Sequence, residues 1–170
     1  MLHEQKTGQN TMFGEMVDEY AVEIPGYTLE SADPLSLVIT ETVSANEIVF
    51  YYSEALGELT IEKSGCDSRD TNQSYIFHVT STSLVNTSRA AVDMYVTVQG
   101  NGSVTVKELP IGTYQVEEVS SWSWRYTPDA AKTVTVTKDS NEETTVNNTR
   151  TDGQWFSGSA YAINTESGRK

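Results

Sequence analysis

Three residues of the sequence could form a crosslink, two of them by bonding to each other and the third by moving protons. Lys63, Glu118 and Asn148 each end an alternating run: Leu59-Thr-Ile-Glu-Lys63, Tyr114-Gln-Val-Glu-Glu118 and Val146-Asn-Asn148. Residues two apart share a face of a β-strand, so each of the three extends an apolar face. Glu117 and Asn147 are one residue away, which puts each of them on the other face of its strand. An amine and a carboxamide can join as an amide, releasing ammonia, when a neighbouring carboxyl group moves the protons.

Burial would suit these groups to such a reaction. Removal from water favours the neutral form of an ionisable group, so burial lowers the pKa of a Lys and favours a protonated carboxyl group. A plainer interpretation also fits: the Lys63 ammonium reaches water at a strand end, Glu118 is a solvated strand residue, and Asn148 belongs to a turn. On spacing alone, the plainer interpretation is favoured.

The elements that must position these residues are short strands. Val, Thr, Tyr and Ile alternate with polar residues between Gly, Asn, Asp and Pro turns, and no helical period is sustained. This pattern predicts an all-β protein with an antiparallel β-sandwich. The seven strands predicted for this sandwich are 58–64, 74–82, 92–99, 102–108, 113–119, 132–138 and 142–149.

The remaining parts of the chain differ in pattern. Residues 1–57 are predicted to be a separate small β unit, with strands at 35–40 and 47–52 and a boundary in Ser53-Glu-Ala-Leu-Gly57, where strand character stops. Residues 151–170 are rich in Gly and Ser and are expected to be a partly ordered tail or an added strand.

Composition excludes several classes of function. With 24 acidic and 11 basic residues the formal charge is -13, which disfavours nucleic acid as a partner. No apolar run approaches the roughly 20 residues that cross a bilayer, so no membrane insertion is expected in this segment. The chain would be a piece of a larger exported protein. His3 and His78 lack metal-ligand spacing, so no metal is expected. The lone Cys66 is expected in an exposed loop without a nearby base, which is a weak case for nucleophilic catalysis. No cofactor is expected. We expect a monomer.

Residues 102–118, Gly-Ser-Val-Thr-Val-Lys-Glu-Leu-Pro-Ile-Gly-Thr-Tyr-Gln-Val-Glu-Glu, resemble the Cna B-type, or SpaA-like pilin, domains of Gram-positive surface proteins. The runs that end at Lys63 and contain Asn148 resemble the family's first and last strands. The resemblance covers about 90 residues and implies a prealbumin-like or Ig-like sandwich over 58–150. Glu108 stands where Gly is often found, and Trp122-Ser-Trp-Arg-Tyr126 replaces a common Pro-Glu-Gly-Tyr loop.

The resemblance reverses the preference between the two interpretations of the three residues. It implies that Lys63 attacks the side-chain carbonyl of Asn148, and that Glu118 polarises this carbonyl and passes protons to the departing ammonia. The isopeptide bond would form once per molecule, so Glu118 would be catalytic only for self-crosslinking. The protein is therefore not expected to be an enzyme.

Residues 1–57 resemble the later part of a mucin-binding-protein (MucBP) repeat, through Ile24-Pro-Gly-Tyr-Thr-Leu29 and Ile48-Val-Phe-Tyr-Tyr52. The resemblance implies mucin adhesion or, as for many such repeats, a spacer.

Together these features predict a structural stalk or spacer of an extracellular adhesin or pilin-like protein in the Gram-positive cell wall. Host glycoprotein or extracellular matrix would be bound through other domains. The alternative is a glycan-binding or host-ligand-binding module in which Trp122, Trp124 and Tyr126 form an aromatic platform. So few rings are more typical of a cover over the open end of the sandwich, and their solvent exposure distinguishes the two.

Overall fold

The computed structural model of the chain describes residues 3, 5–7, 11–123 and 125–151. The chain divides into two units, the first ending at Ala55 and the second beginning at Leu56. Among the described residues, no helix has the length and apolar character needed to cross a membrane. The tail predicted at 151–170 lies outside the described residues, apart from Thr151.

The first unit consists of two small antiparallel ribbons. Strand β1 (Met16–Glu19) pairs with β3 (Leu35–Val38), and β2 (Tyr27–Leu29) pairs with β4 (Tyr52–Glu54). A short 3-10 helix, Val43–Ala45, lies between β3 and β4. Several large apolar side chains of this unit are more than half exposed, among them Met12, Phe13, Met16, Val43 and Tyr51. Two-stranded ribbons with so little buried apolar surface have limited stability of their own.

Two predictions for the first unit are wrong in detail. Residues 47–51 form no strand, because only the end of the predicted run pairs with β2. Before that point, the Tyr51 N–H donates instead to the Ser31 hydroxyl. Strand character also does not stop between 53 and 57, since β4 includes Ser53 and Glu54 and the next strand begins at Leu56. Strands β1 and β2, of four and three residues, are too short to show a period and were not predicted.

The second unit is a β-sandwich of two four-stranded sheets within residues 56–123 and 125–151. One sheet has the order β10-β12-β5-β8 and the other β11-β9-β6-β7. The strands are β5 (Leu56–Ser64), β6 (Ser74–Leu84), β7 (Asp93–Gln99), β8 (Ser103–Pro110), β9 (Gly112–Glu118), β10 (Tyr126–Pro128), β11 (Lys132–Val136) and β12 (Asn141–Arg150).

The core of the sandwich comes from the alternating residues of both sheets. On β9, Tyr114, Val116 and Glu118 are buried while Gln115 and Glu117 are exposed. The largest fully buried side chains are Tyr75, Tyr114, Phe77, Leu59, Ile61 and Leu109. Each large apolar side chain buried in this way contributes about 1.5–3 kcal/mol relative to an exposed one. The predicted sandwich and its inward faces are confirmed.

The expected all-antiparallel arrangement is wrong at one pair of strands. Strand β12 runs parallel to β5, with Thr144 opposite Ile61 and Val146 opposite Lys63. The other pairings of the sandwich that the structure describes are antiparallel. An additional strand, β10, was not predicted, because it has only three residues and ends in Pro128, which lacks a backbone donor and is tolerated at the sheet edge.

Glu108 occupies a backbone conformation that favours glycine. Its φ is 56°, and it lies in a β-bulge where Gly57 pairs with Leu109 and Leu59 with Val106, so that Lys107 and Glu108 oppose one residue. A bulge residue in the left-handed region is usually Gly, because a Cβ there crowds the following carbonyl. The departure from the common Gly at this position is therefore a site of backbone strain.

Replacing Glu108 by Gly should stabilise the sandwich. Relief of the strain, offset by the greater flexibility of Gly in the unfolded chain, should raise the free energy of unfolding by about 0.5–1 kcal/mol. For a domain of about 100 residues this is a rise of roughly 2–8 °C in Tm, measured by differential scanning calorimetry. Glu143→Gly, at an exposed position in the middle of β12, is the matched control and should lower Tm. A lower Tm for Glu108→Gly would contradict the assignment of strain.

Candidate crosslinking site

The two sheets bring Lys63, Glu118 and Asn148 together in the core. Lys63 lies near the end of β5 and Asn148 near the end of the adjacent β12, while Glu118 is the last residue of β9 in the facing sheet. Their exposed fractions are 3%, 3% and 2%. The interpretation in which these residues are solvated at strand ends is therefore wrong, since all three are buried.

Glu118 contacts both of the other residues through different oxygens. Asn148 Nδ2 donates a hydrogen bond of 2.8 Å to Glu118 Oε1. Glu118 Oε2 lies 3.8 Å from Lys63 Nζ, which is close enough for an ion pair but too long for a hydrogen bond. Glu118 Oε2 and Asn148 Oδ1 are buried without a hydrogen-bond partner. Each such atom costs about 1–3 kcal/mol, so this part of the core is not optimised for stability as separate side chains.

The surroundings of Lys63 favour a neutral amine. Nζ donates to the backbone oxygen of Ser64 at 2.5 Å and to that of Val146 at 3.4 Å, and it lies 4.9 Å from the centre of the Tyr75 ring. Burial lowers the pKa of Lys63, and the opposing effect of the Glu118 carboxylate does not cancel it. An amine with a lowered pKa is more often unprotonated and so is a better nucleophile.

Gly65 permits the close approach of the chain that follows Lys63 to Asn148. Its φ is +81°, and a Cβ built on it would lie 2.0 Å from the backbone oxygen of Asn148. A side chain at this position would have to push β5 and β12 apart at the level of the site.

Ser123 is part of this site, although no pattern in the sequence marks it. Its side chain is fully buried, and its hydroxyl donates to Glu118 Oε1 at 2.6 Å, with the backbone oxygen of Val119 3.2 Å away. It follows the short 3-10 helix Ser120–Trp122, which continues the chain from β9. A single Ser between two Trp residues shows no period, so only the folded structure identifies it.

The proposed aromatic platform is not formed as expected. Tyr126 is buried, and its hydroxyl donates to Asp70 and accepts from the backbone N–H of Asp67. Trp122 is 60% exposed and lines a shallow pocket with Gln73, Ser74 and Ser121. Trp124 lies outside the described residues. Tyr126 therefore belongs to the cover of the sandwich core, where its ring and the Tyr75 ring are arranged edge to face.

Cys66 and His78, the other residues with reactive side chains considered above, are held in place by contacts with neighbouring residues. Cys66 lies in a loop but is buried, so the expectation of an exposed thiol is wrong: the Asn101 side chain bonds to both its backbone N–H and its carbonyl and holds the loop against the core. His78 stacks on Tyr95, and its Nε2 lies 2.7 Å from Asp93 Oδ1. Across the described residues, no group of three or more His, Cys, Asp or Glu side chains could hold a metal ion.

The second unit is thus a two-sheet β-sandwich with an amine, a carboxyl group and a carboxamide buried at one end of its core. The family model described as SpaA, prealbumin-like fold domain, matches residues 57–150, and the chain belongs to this family. No curated protein matches the chain. The resemblance of residues 1–57 to a MucBP repeat is not supported by these comparisons and stays a prediction.

Solved structures, among them two of pilus proteins, are similar to the chain at low identity. The TIE protein of Bacillus anthracis is 17% identical with a TM-score of 0.47, over 79% of this chain and 33% of that protein. The major pilin protein of Streptococcus pyogenes is 17% identical with a TM-score of 0.45, over 79% and 66%. The pilus-presented adhesin Cpa is 17% identical with a TM-score of 0.41, over 58% and 28%. The chain therefore spans less than two thirds of the length of most of these proteins.

The lowered pKa of Lys63 predicts a pH dependence in a variant that keeps the amine free. In Asn148→Ala the unfolded Lys63 titrates near its ordinary value of 10.5 and the folded one at a lower pH. Between these two values the unfolded chain binds more protons, so the free energy of unfolding should rise with pH, by up to about 1.4 kcal/mol per pH unit.

Urea unfolding between about pH 7 and pH 10 measures this dependence against the double variant Lys63→Met, Asn148→Ala, which has no amine to titrate. Equal slopes for the two proteins would contradict the lowered pKa.

Proposed function

We propose that the chain is a non-enzymatic structural module of a Gram-positive surface protein, with a sandwich stabilised by an isopeptide bond between Lys63 and Asn148. The observation that carries the proposal is the buried contact of Glu118 with both partners, 2.8 Å to Asn148 Nδ2 and 3.8 Å to Lys63 Nζ. Burying a Lys, a Glu and an Asn together without full hydrogen bonding lowers the free energy of unfolding unless the groups react.

The positions of the three groups support the following reaction. The neutral Lys63 amine attacks the Asn148 side-chain carbonyl carbon, forming the new carbon–nitrogen bond. Glu118 Oε2 faces the amine and takes the proton that it loses. In the intermediate both nitrogens are bonded to the same carbon, so the carboxyl group, which contacts Nδ2 through Oε1, can pass this proton from Oε2 to Nδ2. The bond from the carbonyl carbon to Nδ2 then breaks and ammonia leaves. One amide replaces another, and no oxidant or cofactor is consumed.

The contact of Glu118 differs from the one expected from the family resemblance. Glu118 was expected to polarise the Asn148 carbonyl, but it accepts a hydrogen bond from the amide nitrogen, while Oδ1 has no partner. This orientation suits proton delivery to the leaving group. A half-turn of the amide would place Oδ1 beside Glu118, an arrangement that requires a protonated carboxyl group because two acceptor oxygens cannot bond without a proton.

The crosslink would bypass most of the sandwich under tension. Strands β5 and β12 are the first and last of the sandwich, lie side by side and run parallel. A bond between their ends would transmit force from β5 directly to the last residues of β12, so strands β6–β11 would lie outside the loaded path. Joining residues 85 positions apart (148 minus 63) also restricts the unfolded chain, which is worth on the order of 4–5 kcal/mol in the chain-entropy model.

A load-bearing role is consistent with the proteins that share the fold, which include a pilus-presented adhesin and a major pilin. By this argument the chain is extracellular and is part of a larger cell-wall protein. It would support other domains of that protein, which contact host glycoprotein or matrix. The formal charge of -13 disfavours binding to nucleic acid or to an anionic membrane.

The crosslink should be visible in the intact mass. The folded chain should be lighter than its sequence by one ammonia, resist reducing agents, and yield a branched peptide containing Lys63 and Asn148 after proteolysis. Lys63→Ala, Glu118→Ala and Asn148→Ala should each have the full mass and a lower Tm, because each lacks one reacting or proton-transferring group.

Glu117→Ala and Asn147→Ala are the matched controls, since these neighbours lie on the outer faces of the same strands. Both should retain the loss of ammonia. A full, unmodified mass for folded wild-type protein would refute the crosslink and leave an unlinked spacer.

A further inference from the structure

We propose that Ser123 is a positioning residue for the crosslinking reaction, holding Glu118 with Oε1 against the leaving amide nitrogen and Oε2 toward the amine. This proposal rests on the proposed function. It concerns a residue that lies on neither the first nor the last strand of the sandwich and that contacts neither Lys63 nor Asn148 by a hydrogen bond.

The two oxygens of Glu118 have different surroundings. Oε1 accepts two hydrogen bonds, from Ser123 Oγ at 2.6 Å and from Asn148 Nδ2 at 2.8 Å. Oε2 accepts none and lies 3.8 Å from Lys63 Nζ. Because the Ser123 hydroxyl has one hydrogen and both of its neighbours are oxygen acceptors, it must act as a donor here. With two donors on Oε1, the proton that Glu118 carries during the reaction is placed on Oε2, the oxygen that faces the amine.

The terminal torsion of a Glu side chain is otherwise broad, and a free carboxyl group would exchange its two oxygens by rotation. The Ser123 hydroxyl removes that freedom. A carboxyl group held in the reacting orientation avoids the loss of rate that follows when a proton-transfer group is misplaced.

The chain places Ser123 by anchoring the residues that follow it. The Arg125 guanidinium donates to both oxygens of Asp70, at 2.5 and 3.2 Å, and the Tyr126 hydroxyl also donates to Asp70. Asp70 is itself only 7% exposed. On the other side the segment continues directly from Glu118 through the short 3-10 helix Ser120–Trp122, so Ser123 is fixed from both ends.

This anchoring gives a role to the Trp122-Ser-Trp-Arg-Tyr126 run, which also contains the three residues of the predicted aromatic platform. In the run, Trp122 is exposed while Ser123 is fully buried. The run thus supplies the buried hydroxyl that contacts Glu118.

The rate of crosslinking tests the proposal. The full chain is made by cell-free synthesis with a short labelling pulse, and intact mass gives the fraction that has lost ammonia at successive times. Trypsin resistance in the same samples gives the fraction folded. Ser123→Ala should fold at the wild-type rate and crosslink at least about tenfold more slowly. Ser123→Thr, which keeps the hydroxyl, should restore most of the rate.

Ser121→Ala is the matched control, because it removes an exposed hydroxyl from the same segment and should leave the rate unchanged. Ser123→Cys, nearly the size of Ser but a weak donor, replaces the Ala variant if that variant does not fold, and it should also be slow.

The outcomes separate this proposal from the proposed function. Loss of ammonia at the wild-type rate in folded Ser123→Ala or Ser123→Cys would overturn the role of Ser123 and leave the crosslink intact. A slow Ser123→Ala that Ser123→Thr does not rescue would also overturn it, by indicating a packing effect. A wild-type chain that folds and keeps its full mass would refute the crosslink itself, and the role of Ser123 with it.

Discussion

The burial of one amine and one carboxyl group between two sheets is the constraint on which the rest of the sandwich depends. Lys63 and Glu118 have no exposed side-chain surface, yet their closest atoms are 3.8 Å apart and do not form a hydrogen bond. An ion pair in such a place repays its desolvation only with excellent geometry. Neighbouring residues stabilise this arrangement: Gly65 allows β5 and β12 to approach each other, the Tyr75 ring covers the amine, and Ser123 donates to the carboxyl group.

The topology converts this local chemistry into a mechanical property. Because β12 returns beside β5 in the parallel direction, Lys63 and Asn148 lie at the same end of two adjacent strands. In an antiparallel pair, the C-terminal ends of the two strands would lie at opposite ends of the pair, and a bond at one of these ends would leave the other strand loaded along its length. Parallel pairing requires a crossover connection between the two strands, and here that connection passes through both sheets. That passage is also what places β9, with Glu118, in the facing sheet.

Sequence periodicity could predict the faces of the strands but not their neighbours. Leu59, Ile61 and Lys63 share a face whatever the strand pairs with, so the inward direction of Lys63, Glu118 and Asn148 follows from local pattern. The parallel pairing, the burial of Cys66 and the hydrogen bond of Ser123 depend on contacts between distant segments, for which a single sequence has no local signal. Tyr126 shows the same limit. Its position close to Trp122 in the sequence suggested a shared surface, but its hydroxyl donates a hydrogen bond to the buried Asp70, which is distant in sequence.

The first unit presents the opposite physical case, with charge rather than burial as its dominant feature. Residues 1–55 contain ten acidic residues and one Lys, and many of their large apolar side chains are exposed. The resemblance to a MucBP repeat implies either adhesion or a spacer role. Such an excess of carboxylates would repel an anionic glycan over distances of about a Debye length, roughly 8 Å at physiological salt. Among the two roles, the charge therefore favours a spacer, or adhesion to a surface that is neutral or basic.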